Sequence, residues 1–280
     1  MEARRLGLRS IPVFVHDCNP SNDAAPREAP QMPPKSTRPA STPAPPSRGR
    51  TTKSKADPAR IAEIFRRFAR ANPEPKGELE HVNPYTLLVA VVLSAQATDA
   101  GVNKATQGLF KVASTPAKMV ALGLDELQER IKTIGLYRNK AKNVIALSER
   151  LLAEHGGHVP KDREALEALP GVGRKTANVV LNIAFGESTL AVDTHVFRVA
   201  HRLGLAAGKT PLDVEQGLLK VIPEPYLRHA HHWLILHGRY ICQARKPRCN
   251  VCILSDLCTS EDKWFHGAPP KPAAMQKVSP

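Results

Sequence analysis

Two side chains of opposite charge, Lys175 and Asp193, stand out because their surroundings suit chemistry on an anionic substrate. Lys175 follows the turn in LPGVGRK and lies at the start of an apolar helix that we expect to begin at about Gly173. Gly171 and Gly173 let the backbone approach a ligand closely and take conformations closed to other residues, and unpaired N–H groups at a helix start favour an anion. With 40 Lys and Arg residues against 26 Asp and Glu, a DNA phosphate is the natural anion. The alternative is an ordinary helix turn that happens to use glycine.

The amine of Lys175 could act as a nucleophile only in its neutral form. An exposed lysine, with a pKa of about 10.4, is neutral in less than about one molecule in a thousand at pH 7. The site must therefore lower this pKa, and partial desolvation together with the charge of Arg174 would do so. Asp193 precedes the segment THVFRV and suits a helix N-cap, which would keep its carboxyl group ionised. The alternatives are a solvent-facing lysine and an aspartate that only caps a helix.

Four cysteines form a second cluster of chemically active residues. They have the spacing C-x6-C-x2-C-x5-C at Cys242, Cys249, Cys252 and Cys258, whereas Cys18 lies alone. Four soft ligands within seventeen residues suit a metal centre. Disulfides are a weak alternative, because nothing suggests secretion. Zinc sites usually pair two C-x2-C knuckles and this chain has one, but the spacing alone leaves zinc and iron-sulfur both open.

The elements that must position these residues are predicted to be helices. A capping residue stands ahead of a proline or a periodic apolar run at Asp57, Asn83, Thr98, Thr115, Asp162, Asp193 and Thr210. The segment 162–170 has helical spacing, with Leu166 and Leu169 on one face, and Pro170 ends it. No alternating strand pattern of useful length is present, so the fold class is predicted to be all-α.

Composition limits the partners and the location of the protein. A net charge of +14 and a pI of about 9.8 indicate a polyanionic partner, although a basic chain can also bind an anionic membrane. No uncharged apolar run reaches the length of a membrane span, so we expect a soluble protein. Residues 1–56 hold ten prolines and little apolar periodicity, and we expect a disordered basic tail there and a second disordered tail at 263–280.

The sequence resembles the endonuclease III DNA glycosylases, within the helix-hairpin-helix superfamily that carries a catalytic aspartate after the hairpin. The resemblance runs from about Asp57 to Asp262 and includes LSAQATD (93–99), IKTIGLYRNKA (131–141), LPGVGRKTANVVLN (169–182), VDTHVFRV (192–199) and HHWLILHGRYICQARKPRCNVC (231–252). It implies two lobes with DNA across the cleft between them. One is a six-helix barrel domain with the helix-hairpin-helix at 77–187, and the other is an iron-sulfur cluster domain at 57–76 and 188–262.

The same resemblance implies a role for each candidate residue. Lys175 would attack C1′ of a flipped nucleotide and form a Schiff base, while Asp193 would stabilise the cationic sugar and help to move protons. Gln96 and Leu136 would enter the duplex and support the flipped state; the alternatives are a polar helix end and a leucine that caps the core. Gly171, Gly173 and Arg174 would contact DNA at the hairpin.

For the cysteines the resemblance implies a [4Fe-4S] cluster, which would hold the cations of its ligand loop, among them Lys246 and Arg248, against the DNA backbone. A solvated run of charges is the alternative for these cations. The segment containing His229, His231 and His232 is expected to pack between the lobes rather than to bind a metal.

The expected function is that of a bifunctional DNA glycosylase and abasic-site lyase in base excision repair. Its partner would be double-stranded DNA that contains oxidised pyrimidines or abasic sites, and the enzyme would be a monomer in the bacterial cytoplasm, associated with the nucleoid. An adenine-mismatch glycosylase is the first alternative, but that class typically lacks the lysine nucleophile. A non-catalytic helix-hairpin-helix binding module is the second, and it would need neither Lys175 nor Asp193.

Overall fold

A computed structural model describes residues 57–264, and most of the two predicted tails, 1–56 and 263–280, lies outside this range. The described residues contain helices and no β-strand, which confirms the predicted all-α class. The helices are α1 Pro58–Ala71, α2 Pro84–Leu93, α3 Asp99–Val112, α4 Pro116–Leu122, α5 Leu124–Ile131, α6 Tyr137–His155, α7 Arg163–Glu167, α8 Arg174–Phe185, α9 Thr194–Arg202, α10 Pro211–Val221 and α11 Glu224–Tyr240. None of these helices has the length and apolar character that crossing a membrane requires.

The seven predicted helix starts are all confirmed, and each is closed by the side chain of its N-cap residue. The capping oxygen accepts a backbone N–H of the first turn at Asp57, Asn83, Thr98, Thr115, Asp162, Asp193 and Thr210. Each such bond satisfies one of the N–H groups that a helix start leaves without an internal partner. These starts are therefore encoded locally, within three or four residues.

A first hydrophobic core lies among α2 to α8, in the region predicted to form the barrel domain, and we call this part the barrel lobe. Helix α2 is its centre: residues 85–93 are all buried, because α3, α6 and α8 pack around them. This explains why α2 is apolar on every side. Gly123, with a φ of 83°, separates α4 from α5, so the lobe has seven helical segments among the described residues.

A second core joins α1 to α9, α10, α11 and the segment 241–258, and we call this part the cysteine lobe. Phe65 and Phe68 of α1 pack against Trp233 of α11, and the rings of Phe68 and Trp233 stack with centroids 6.3 Å apart. The Trp233 indole N–H donates to the Asn72 carbonyl oxygen at 2.8 Å. The first helix of the described chain thus completes a lobe whose other parts follow residue 189.

A partly buried ion pair connects the start of α8, in the barrel lobe, to α10 of the cysteine lobe. Arg174 donates from Nε to Glu215 Oε2 at 3.0 Å and from Nη2 to Glu215 Oε1 at 2.7 Å. The Glu215 side chain is only 5% exposed, whereas that of Arg174 is 39% exposed. Hydrogen bonding to Glu215 raises the pKa of Arg174. This two-pronged contact fixes the hairpin helix against the second lobe.

Arg174→Ala is expected to lower the free energy of unfolding by about 2 kcal/mol, because it leaves the buried Glu215 carboxylate without its cation. Glu215→Gln should be milder, since it leaves a neutral amide. Urea unfolding of the two single variants and the double variant measures their coupling. Lys142→Ala, at an exposed position of α6, is the control and should stay within about 0.5 kcal/mol of the parent protein. An Arg174→Ala variant as stable as this control would contradict a stabilising pair.

Candidate active site

The hairpin before α8 has the predicted form, but its two glycines serve different purposes. Gly171 has a φ of 77°, and a Cβ there would lie 2.9 Å from the Asn143 side chain, so both conformation and space require glycine. Gly173 has an extended backbone with a φ of −104°, and a Cβ there would meet nothing within 4 Å. The predicted conformational need is therefore correct for Gly171 and wrong for Gly173. Open space in front of Gly173 leaves the first N–H groups of α8 accessible to an anion.

Lys175 lies in the first turn of α8, and its side chain is exposed at a cavity of about 70 Å³ between the lobes. Val179 and Ile183 continue the same face of α8 into this cavity. The opposite wall comes from α11 and includes His231. A nucleotide bound here would meet the amine on one side and apolar side chains below it.

The charge of Arg174, one expected influence on the Lys175 amine, has a partner in the structure. The buried carboxylate of Glu215 pairs with the Arg174 guanidinium group, which partly balances its positive charge. The Lys175 side chain is exposed, so its desolvation requires a ligand that closes the cavity. The contact of Arg174 with DNA stays a prediction, made from a guanidinium that is still partly exposed.

Asp193 forms the N-cap of α9, as predicted. Its Oδ1 atom accepts the backbone N–H groups of His195 and Val196, both at 2.8 Å. No hydrogen bond within residues 57–264 reaches Oδ2. One oxygen therefore anchors the helix while the other stays available.

The segment that leads to Asp193 is held by polar side chains of α8. The Asn178 side-chain amide donates to the Leu190 carbonyl oxygen at 2.9 Å, and the Thr189 hydroxyl donates to the Asn178 carbonyl oxygen at 2.6 Å. Asn182 is buried and donates to the carbonyl oxygens of Glu187, Thr189 and Arg228. The start of α8, which carries Lys175, and the start of α9 are thus tied through one helix.

A buried histidine lies within electrostatic reach of both Lys175 and Asp193. His231 forms a hydrogen bond from Nδ1 to the Ala191 carbonyl oxygen at 2.9 Å. Burial, and then the neighbouring His232, lower the pKa of His231 to about 4, and the charges of Asp193 and Lys175 act on the same ring in opposite directions. The lysine and the aspartate therefore both lie near the same histidine, although they stand at the starts of different helices.

Gln96 and Leu136, the two residues expected to enter the duplex, share a rare backbone conformation. Their φ angles are 54° and 58°, and they are the two non-glycine residues with positive φ among residues 57–264. Both side chains are exposed, that of Leu136 to 59%. A Cβ on Gly135 would lie 3.9 Å from the Gln96 carbonyl oxygen, so the two loops are adjacent. Strained residues that present exposed side chains are typical of binding sites.

An ionic cluster lies at the rim of the cavity. It was not predicted from the sequence, where Asp99 was only the last residue of the matching segment LSAQATD. Arg239 of α11 donates to Asp99 at the start of α3 and to Glu78 in the connection before α2. The Tyr240 hydroxyl donates to Glu78 as well. These contacts link the cysteine lobe to the barrel lobe next to Lys175.

The four predicted ligand cysteines are free thiols that line one cavity of the cysteine lobe. Three N–H groups point at their sulfur atoms: Arg202 Nη1 to Cys242 at 3.5 Å, Leu254 N to Cys252 at 3.4 Å and Trp264 N to Cys249 at 3.3 Å. Such donors suit sulfur atoms that carry negative charge in a cluster. Burial raises the pKa of the Cys252 thiol to about 12, so a cationic centre is needed to keep it ionised.

The arrangement of the thiols also bears on the choice between zinc and an iron-sulfur cluster. No three Cys, His, Asp or Glu side chains in the described part of the chain are grouped as ligands of a single metal ion. Zinc would require four sulfur atoms at about 2.3 Å from one point. The four thiols instead share the lining of one cavity, an arrangement that a polynuclear cluster with four cysteine ligands can use.

The cations between the first two ligand cysteines are presented outward. Lys246 and Arg248 are both exposed, while Pro247 between them is buried against the cysteine cavity. The Arg248 N–H donates to the Ile241 carbonyl oxygen at 2.8 Å, which closes the loop. Their contact with DNA stays a prediction.

Known proteins share this architecture. Residues 89–224 match the family described as HhH-GPD superfamily base excision DNA repair protein, and residues 242–258 match the iron-sulfur binding domain of endonuclease III. The chain is 59% identical over 201 residues to endonuclease III of Haemophilus influenzae. This match covers 72% of this chain and 95% of the relative. It is also 58% identical over 205 residues to endonuclease III of Escherichia coli, and this match covers 73% of this chain and 97% of the relative.

A solved structure described as a trapped endonuclease III–DNA covalent intermediate, in an estranged-adenine complex, is similar to this fold. The TM-score is 0.68 at 48% sequence identity, and the match covers 72% of this chain and 96% of that chain. The thiol cavity fits the [4Fe-4S] cluster of this group of proteins. The chain therefore belongs to the endonuclease III family of base excision repair enzymes, which are DNA glycosylases and abasic-site lyases.

Proposed function

We propose that this enzyme removes oxidised pyrimidines from double-stranded DNA and cuts the strand through a covalent intermediate on Lys175. The observation that carries the proposal is the placement of Lys175 and Asp193 around buried His231: both charges act on its ring, and Lys175 and His231 line one cavity. A pure DNA-binding module has no use for an amine and a carboxylate so placed. The covalently trapped relative supports the same chemistry.

In the first step the neutral Lys175 amine adds to C1′ of a flipped nucleotide, and the bond from C1′ to the base breaks. The departing base takes a proton, and positive charge develops on the sugar. The carboxylate of Asp193, which uses only Oδ1 for the helix cap, stabilises that charge. The amine nitrogen then loses a proton, and its lone pair forms a C=N bond as the bond from C1′ to the ring oxygen breaks. The ring oxygen takes up a proton, which leaves an open-chain sugar joined to the enzyme as a protonated Schiff base.

In the second step a proton leaves C2′, and its electron pair expels the 3′ phosphate by β-elimination. Water then hydrolyses the Schiff base, so the free amine returns and the enzyme turns over. The cysteines that line the thiol cavity, Cys242, Cys249, Cys252 and Cys258, would hold the [4Fe-4S] cluster, which would serve to keep the loop with Lys246 and Arg248 in place.

The DNA must bend and release one nucleotide from the stack for this chemistry. Exposed Leu136 and Gln96, on adjacent strained loops, are suited to fill the gap in the duplex. The open start of α8 at Gly173 and the exposed Lys246 and Arg248 would bind phosphates. We infer a monomer that acts on damaged or abasic duplex DNA in the bacterial nucleoid.

Borohydride reduction of the Schiff base tests the nucleophile. The parent protein should form a covalent adduct with a duplex that contains an abasic site or thymine glycol, and Lys175→Ala and Lys175→Gln should form none, while their DNA affinity largely survives. Lys76→Gln removes another amine that lines the same cavity, and its adduct should persist. Adduct yield on a denaturing gel and DNA affinity by fluorescence anisotropy are the measurements. An adduct lost in Lys76→Gln but kept in Lys175→Gln would assign the nucleophile to Lys76.

Asp193→Asn tests the carboxylate separately from the helix cap. Asparagine is as good an N-cap as aspartate, so unfolding of the variant should resemble that of the parent protein. Base release should fall by roughly 100-fold or more, because the neutral amide cannot stabilise the sugar cation or accept a proton. Single-turnover base release and thermal unfolding are the measurements, with Asp57→Asn at the N-cap of α1 as control. Unchanged base release would restrict Asp193 to capping.

A further inference from the structure

His231 on α11 has a defined tautomer. Its Nδ1 atom lies 2.9 Å from the Ala191 carbonyl oxygen, and a carbonyl oxygen can only accept a hydrogen bond. Nδ1 therefore carries the hydrogen, and Nε2 carries a lone pair. Ala191 precedes Asp193 by two residues, so the ring is anchored to the segment that positions the carboxylate.

His231 and Lys175 line the same cavity. The ring lines this cavity together with Val179, one helical turn beyond Lys175. No hydrogen bond among the described residues uses Nε2, yet it is not among the buried polar atoms that lack a partner, so it keeps contact with the open space. The Nε2 lone pair of His231 and the amine of Lys175 thus belong to two residues that line the same cavity.

The charge state of the ring follows from its surroundings. The residue is 4% exposed, and burial lowers its pKa to about 4, so the imidazole is neutral over the physiological range. The titratable and charged groups around it are His232 on the same helix, Asp193 before α9, Lys175 on α8, and the cavity residues Lys76, Glu78, Asp99 and Arg239. Glu78 and Asp99 are paired with Arg239, and Asp193 uses its Oδ1 atom to cap α9.

We propose that His231 is a positioning residue for Lys175, and that its Nε2 accepts a hydrogen bond from the Lys175 amine once bound DNA closes the cavity. This inference rests on the proposed function. One N–H of the amine held by Nε2 directs the amine lone pair towards C1′ of the flipped nucleotide. A carboxylate in the same place would stabilise the ammonium form and weaken the nucleophile, whereas a neutral imidazole orients the amine without that penalty.

Two replacements separate the orienting role from a purely structural one. In His231→Asn the side-chain amide can still donate to the Ala191 carbonyl oxygen, but no acceptor remains at the Nε2 position. In His231→Gln an amide oxygen can reach the Nε2 position, but the bond to Ala191 is lost. An orienting role predicts faster Schiff-base formation in His231→Gln than in His231→Asn, and a structural role predicts the reverse.

The measurement is the single-turnover rate of borohydride trapping on an abasic duplex between pH 6 and 9, with DNA affinity and thermal unfolding measured alongside. His231→Asn should fold and bind DNA like the parent protein. Its trapping rate should be about tenfold lower, because the loss of one hydrogen bond in the transition state slows a reaction by about that factor. His231→Gln should recover part of that rate although it unfolds more easily. His229→Asn, on the same helix outside the cavity lining, is the control and should trap at the parent rate.

Two outcomes would overturn the inference. Parent-like trapping by His231→Asn would remove the need for Nε2, and trapping rates that follow thermal stability in both variants would leave only a structural role. Failure of the proposed function is distinguishable, because Lys175→Gln would then still form the adduct whatever residue occupies position 231.

Discussion

The hydrogen bonds that α8 makes to the segment 187–190 are the constraint on which the site depends. Asn178, Thr189 and Asn182 fix this segment along the side of α8, so the distance between the two helix starts is set by one rigid element. Lys175 stands at one end of that arrangement and Asp193 at the other. The bond from His231 to Ala191 then attaches α11 to the same segment. Helices α8 and α11, which both line the cavity, are therefore tied to the segment that ends at the start of α9.

The electrostatics of the site are shaped as much by neutralised charges as by free ones. Glu215 pairs with Arg174, and Glu78 and Asp99 pair with Arg239, so these ions are partnered before DNA arrives. His231 is kept neutral by burial. Lys175 remains exposed at the cavity mouth. In the proposed mechanism, only bound DNA would take this amine out of water, so that its reactivity would depend on substrate binding.

What could be predicted from the sequence follows the range of the interactions involved. The seven capped helix starts depend on side chains three or four residues away, and all were predictable. The starts of α5, α6 and α11 have Gly123, Leu136 and Pro223 at the N-cap and no capping side chain, so no such signal marked them. Lys175, Asp193 and the cysteines were found through local motifs. The partners Glu215 and Arg239 lie 41 and 140 residues from the groups they bind, beyond the reach of spacing arguments.

The contribution of α1 to the cysteine lobe has a consequence for synthesis on the ribosome. Arg60 donates to the Leu257 carbonyl oxygen and Arg67 to Asp256, across 197 and 189 residues of chain. Helix α1 therefore emerges early but has no finished lobe to join until the cysteine segment has left the exit tunnel. The barrel lobe, whose helices are consecutive, can fold in the meantime. Phe65 and Phe68 gain their contacts with Trp233 only once residue 233 has been synthesised, so the burial of the first described helix is a late event.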